Sequence, residues 1–98
     1  MFPDELRKKL NDAREEALRV GDSPLKADWL AERMAPLARE VHASSVTDEV
    51  KARITAALGD AERVLRRDDD GREAARHLAT ALSYTEGRTR RPSPFLDD

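Results

Sequence analysis

The chain contains no cysteine. That removes a disulfide framework, a thiolate metal site and a thiol nucleophile together, and it makes a reducing compartment, the cytoplasm, the expected location. Aromatic residues are scarce as well: two Phe, one Trp and one Tyr among 98 residues. Each aromatic side chain that falls off a helical stripe therefore stands out. No apolar run approaches the roughly 20 residues that span a bilayer. The start, "MFPDELRKKL", lacks the basic beginning and apolar stretch of a signal peptide, so no membrane partner is expected. The net charge is only −2, with both signs spread along the chain. No global field would draw the molecule onto nucleic acid or an anionic surface. Neither a Gly-rich phosphate loop nor a nucleophile elbow is present.

Charged residues make up 39% and hydrophobic residues another 39%. The mixture leans toward Ala, Leu, Glu and Arg, which is what helical bundles use. At this length one domain with a thin core is expected. The preference for Arg over Lys and the abundance of Ala point to a GC-rich genome, bacterial or phage.

Periodicity divides the chain into four helical segments. The first opens at Pro3, placed as its first helical residue, with Asp4 and Glu5 near the positive dipole end. Leu6, Leu10, Ala13, Ala17 and Val20 form its seam, and Gly21 stops it. The second starts with Ser23 as cap and Pro24 as first residue, and its seam is Ala27, Leu30, Met34, Leu37 and Val41. Pro36 lies inside this pattern at a cost of about 3 kcal/mol in a free helix. Because the seam keeps phase across it, one kinked helix is expected rather than two short ones. After the turn "HASSVT", with Thr47 or Ser45 as cap, the third stripe is Val50, Ile54, Ala57, Ala61 and Val64, widened by Leu58 and Leu65. Gly59 is its expected point of weakness. Asp70 caps the fourth helix, with Glu73 placed to reach back in a capping box. Ala74, Leu78, Ala81 and Thr85 carry that stripe, beside Ala75 and Leu82, up to Gly87. Short connections make neighbours antiparallel, so the expected fold is an all-α antiparallel four-helix bundle over residues 1–87 with an extended tail, 88–98. A dimer that completes the thin core is the alternative.

Chemistry finds little purchase. "DDDG", Asp68 to Gly71, fails as a calcium loop, because setting Gly71 at the sixth position puts Arg66 at the first and His77 at the twelfth. Glu73 and His77 share a helix face, but no Glu-x-x-His pair of a bundle metal site occurs. Ser44, Ser45 and Thr47 read as capping residues rather than nucleophiles. "WLAERMAPLAREV", Trp29 to Val41, resembles part of the first helix of the small all-helical chorismate mutases. Gly21 and Pro24 interrupt the helix upstream, and no Lys follows Val41, so no active-site residue is carried over. "LAERM" is similar to the first helix of a helix-turn-helix, yet "APLAREV" continues the heptad where a tight turn is required. No catalytic residue, metal or cofactor is therefore assigned.

What remains is surface. Leu25 and Trp29 lie opposite the second seam, and Leu18 and Tyr84 lie off theirs. Either the bundle covers these groups, or Trp29 with Leu25 is an exposed anchor of the kind that dominates interfaces. The tail, "RTRRPSPFLDD", poses the same choice with Phe95 and Leu96: a cover over the bundle end, a segment without a role, or a short motif for a partner. Its Arg88, Arg90 and Arg91 could add a few phosphate contacts. The expected function is a small non-enzymatic protein-binding module, an adaptor, inhibitor or regulatory subunit, using Leu25, Trp29, Tyr84, Phe95 and Leu96. Nucleic-acid association through the tail arginines is the second reading. A helical enzyme holding an anionic metabolite between Arg side chains is the third.

Overall fold

The computed structural model describes residues 3–21 and 23–86, which form an all-α antiparallel bundle of four helices: α1, Asp4–Val20; α2, Pro24–Ala43; α3, Asp48–Asp68; and α4, Gly71–Ser83. A single 3-10 turn, Tyr84–Glu86, follows α4. Among the described residues there is no strand.

The helix ends show local chemistry at work. The Ser23 hydroxyl accepts from the Lys26 amide and Pro24 opens α2, while the Thr47 hydroxyl accepts from the Val50 amide at the start of α3. Pro3 sits one position earlier than expected. Its ψ of 132° is extended, so it is the N-cap of α1, and its carbonyl accepts from the Arg7 amide. Gly21 ends α1 at φ 60°, ψ −128°, a conformation open only to a residue without Cβ. At α4 the Asp70 carboxylate accepts from the Glu73 amide at 3.0 Å. The reciprocal half of the capping box is not formed. Glu73 turns instead to Arg76, at 2.9 Å, and faces His77 at 3.7 Å.

Two expected weak points hold. The helix α2 runs unbroken through Pro36, which is exposed. The Glu32 carbonyl that loses its donor there belongs to an exposed residue, where water can replace the missing bond. The helix α3 likewise continues through Gly59, its expected point of weakness. Its penalty of about 1 kcal/mol is outweighed by Ala57, Leu58, Ala61 and Leu65, all buried around it.

The interior is aliphatic. Every seam residue of α1 and α2 is buried, and Ala31 joins them. On α3 the stripe centres on Leu58 and Leu65, leaving Val50 and Val64 partly exposed. The helices are not evenly spaced. Pairs α2–α3, α3–α4 and α1–α4 pack closely, whereas α1 and α2 touch far less. Two features explain the asymmetry. Between α1 and α4 small residues meet: Gly71 lies buried against Ala17 and Val20. Between α1 and α2 the flanking positions are charged, with Lys9, Asp12 and Glu16 on one side and Arg33 and Glu40 on the other. Charged side chains of this kind favour contact with water over interdigitation, and across this edge the helices are joined by the Lys9–Glu40 ion pair at 2.8 Å.

A second tie closes the other end of the α1–α4 pair. Arg7 donates from Nε to the Thr85 hydroxyl at 3.2 Å and from Nη2 to the Thr85 carbonyl at 3.0 Å. Thr85 is 2% exposed, and its hydroxyl donates in turn to the Leu82 carbonyl at 2.7 Å. A buried hydroxyl on an otherwise apolar stripe thus has both a donor and an acceptor.

Candidate functional site

The separation of α1 and α2 leaves a groove of about 610 Å³ along their length. Its floor is Ala13, Leu30, Met34 and Leu37, all core residues seen edge-on. Its walls are Asp12, Glu15, Glu16 and Arg19 from α1, with Glu32, Arg33, Pro36 and Glu40 from α2. Trp29 stands at one end. A smaller hollow of about 300 Å³, lined by Pro3, Leu6, Ala43 and Ser44, continues the line toward the α1 N-terminus. Lys9 and Glu40 line both spaces and join across them at 2.8 Å. The hydrogen bond to Glu40 raises the Lys9 ammonium above its ordinary 10.5, with the charges of Glu40 and Glu5 adding and partial desolvation opposing.

Trp29 is 54% exposed and Leu25, one turn before it, is 82% exposed. Neither the bundle nor the α1–α2 turn covers them. The helical phase that places Leu30 and Met34 inward leaves Trp29 no route to the core. The Arg33 guanidinium lies over its ring, 4.8 Å from the centroid, so the π face already holds a cation. Leu18, 56% exposed, belongs to α1 and does not line the groove.

Tyr84 behaves differently from the pair on α2. The 3-10 turn at the end of α4 rotates it back onto the bundle, where it is half-buried against the core, with the Arg53 guanidinium 5.7 Å from its ring centroid. Its position off the α4 stripe is thereby accounted for by packing. Phe95, Leu96, Arg88, Arg90 and Arg91 lie outside the described residues.

The arrangement offers surface rather than reactive groups. Among the described residues no three His, Asp or Glu side chains gather as a metal-binding group. Arg53, Arg63, Arg66 and Arg76 are paired within their own helices to Glu49, Asp60, Glu62 and Glu73, so these arginines do not stand as an unopposed basic patch. Among the described residues arginines do not converge in the interior either, where the buried polar side chain is Thr85. No described helix is long and apolar enough to cross a membrane.

The groove and the Arg7–Thr85 tie were not anticipated from the sequence. A signal for the groove was present nonetheless: charged residues at 9, 12, 16 and 19 flank one edge of the α1 seam, and 33 and 40 flank one edge of the α2 seam. Set against known protein families, curated proteins and solved structures, the chain matches none.

Proposed function

We propose that this chain is a small non-enzymatic protein-binding module that engages another protein through the outward side of α2 around Trp29 and Leu25. One observation carries the reading: a Trp and a Leu one helical turn apart, 54% and 82% exposed on a bundle whose other large apolar groups among the described residues, Leu18 aside, are buried or half-buried. Trp is over-represented among residues that dominate binding energy. Within the bundle the Trp29 ring is held by the Arg33 guanidinium, 4.8 Å from its centroid, and the rest of the ring, like Leu25, stays open to a partner.

The reading as an adaptor, inhibitor or regulatory subunit rests on this surface. The metabolite-binding enzyme draws no support from an aliphatic interior and a groove in which carboxylates outnumber cations. The test is capture of a partner by the tagged wild-type chain, compared with Trp29→Ala, Leu25→Ser and a chain ending at Gly87. Loss of one specific protein with the α2 substitutions, at unchanged circular dichroism, is expected. Retention of that protein by both α2 variants removes this face as the binding surface. Loss only on shortening the chain moves the site to the tail with Phe95 and Leu96.

A further inference from the structure

The α1–α2 groove says more about the partner than the exposed anchor does. Its walls carry five carboxylates, Asp12, Glu15, Glu16, Glu32 and Glu40, against three cations, Lys9, Arg19 and Arg33. Two of the cations are already engaged with carboxylates, Lys9 with Glu40 at 2.8 Å and Arg19 with Glu16 at 3.4 Å. The third lies on the Trp29 ring. Asp12, Glu15 and Glu32 have no ion-pair partner among the described residues. The groove is therefore a strip with an apolar floor, an excess of negative charge on both lips, and an electron-rich ring at one end that already accepts a guanidinium.

Resting on the protein-binding reading above, we infer that the groove receives a basic amphipathic helix of a partner protein, apolar side against Trp29 and the groove floor, Lys and Arg side chains on Asp12, Glu15 and Glu32. Two helices held apart form the rails of a helix-in-groove site, recognised through anchors spaced by helical turns. Charge complementarity along the lips sets orientation and speeds encounter. A second copy of this chain is a poor occupant, because a symmetric contact would press two acidic strips together. An anionic ligand meets the same repulsion.

Trp29 is the sole tryptophan, so its intrinsic fluorescence reports occupancy without a label. The probes are two synthetic amphipathic peptides with one identical Leu-rich face, one bearing Lys and Arg on the other face, the second bearing Glu. The cationic peptide is expected to shift Trp29 emission, and its affinity to fall as salt rises and the Debye length shrinks from about 10 Å at 0.1 M. With the peptide labelled and followed by anisotropy, Trp29→Ala should weaken binding on the order of 30-fold, the size of an anchor residue. The triple variant Asp12→Lys, Glu15→Lys, Glu32→Lys should bind the anionic peptide in preference. Circular dichroism confirms that both variants fold.

Equal binding of both peptides, or preference for the anionic one by the wild type, overturns the inference. So does binding of the cationic peptide only by a chain ending at Glu86, since the chain's own tail would then be the occupant. Self-association that is lost in Trp29→Ala makes a second copy the occupant, and likewise overturns it. Failure of both peptides alongside Trp29-dependent capture of a cellular protein refutes the basic helix while leaving the protein-binding reading in place.

Discussion

Replacing Gly71 by Ala tests how α4 is seated on α1. A Cβ built on Gly71 falls 2.6 Å from Val20 Cβ and 3.2 Å from Val20 Cγ1, and it also meets the Ala17 carbonyl oxygen. Carbon atoms in contact rest about 3.5–4.0 Å apart, so α4 and α1 must part by roughly 1 Å at this level. The obstructing oxygen is backbone, fixed in the last turns of α1, and no rotamer change relieves it. Overpacking of this kind costs about 1–3 kcal/mol. Against it stands the smaller conformational freedom of Ala in the unfolded chain, about 0.4–1 kcal/mol in favour. The net expectation is a loss of about 1–2 kcal/mol. Gly59 supplies the opposite case. It lies exposed inside α3 with nothing within 4 Å of its would-be Cβ, so Gly59→Ala should gain about 0.8–1 kcal/mol from helix propensity alone. Urea unfolding followed by circular dichroism gives both values on one scale. At about 4–8 °C per kcal/mol for a domain of this size, the two variants should melt on opposite sides of the wild type. A Gly71→Ala protein as stable as the wild type, with Gly59→Ala stabilised as expected, would refute the close approach of α4 to α1.

Arg7→Met removes both donors to Thr85 while keeping an apolar stem, and should cost about 1–2 kcal/mol for two partly exposed hydrogen bonds, read as a lower urea midpoint with unchanged slope. Leu78→Ala, at a fully buried position, should cost about 2–5 kcal/mol, and in a core this thin the variant is expected to be largely unfolded at 37 °C. The Lys9–Glu40 bridge adds a pH dependence. Because folding raises the Lys9 value above 10.5, its contribution is fully present below the unfolded value and is lost as pH rises through the folded one. Thermal melts from about pH 9 to about pH 12 should therefore show the wild type converging on Lys9→Met at the alkaline end, and a constant difference between them would exclude the link.

Helical phase was legible in the sequence because it is a local property. Spacings of three and four placed Leu6, Leu10, Leu30, Met34, Ile54 and Leu78 on seams that are all buried, and Ser23, Thr47 and Asp70 were recognisable as caps whose partners lie three residues away. The same phase put Leu25 and Trp29 on the outer side of α2. That they stay uncovered is a tertiary fact, since it depends on where the neighbouring helices lie. The weakness at Gly59 and the reciprocal capping bond of Glu73 were local preferences that yielded to longer-range burial and to a nearer Arg76.

Distances between helices are another matter, because periodicity carries no information on which seams approach closely. Gly71 read as the end of an acidic turn, yet its lack of a side chain matters because α1 crosses there. Arg7 and Thr85 are separated by 78 positions and meet only when α1 and the end of α4 lie side by side. The groove arises in the same way. Charged residues flank both seams in the sequence, but a groove lies between them only where those two edges face each other, between α1 and α2. The faces were thus written in the order of residues, and the gaps and close approaches in how the faces were brought together.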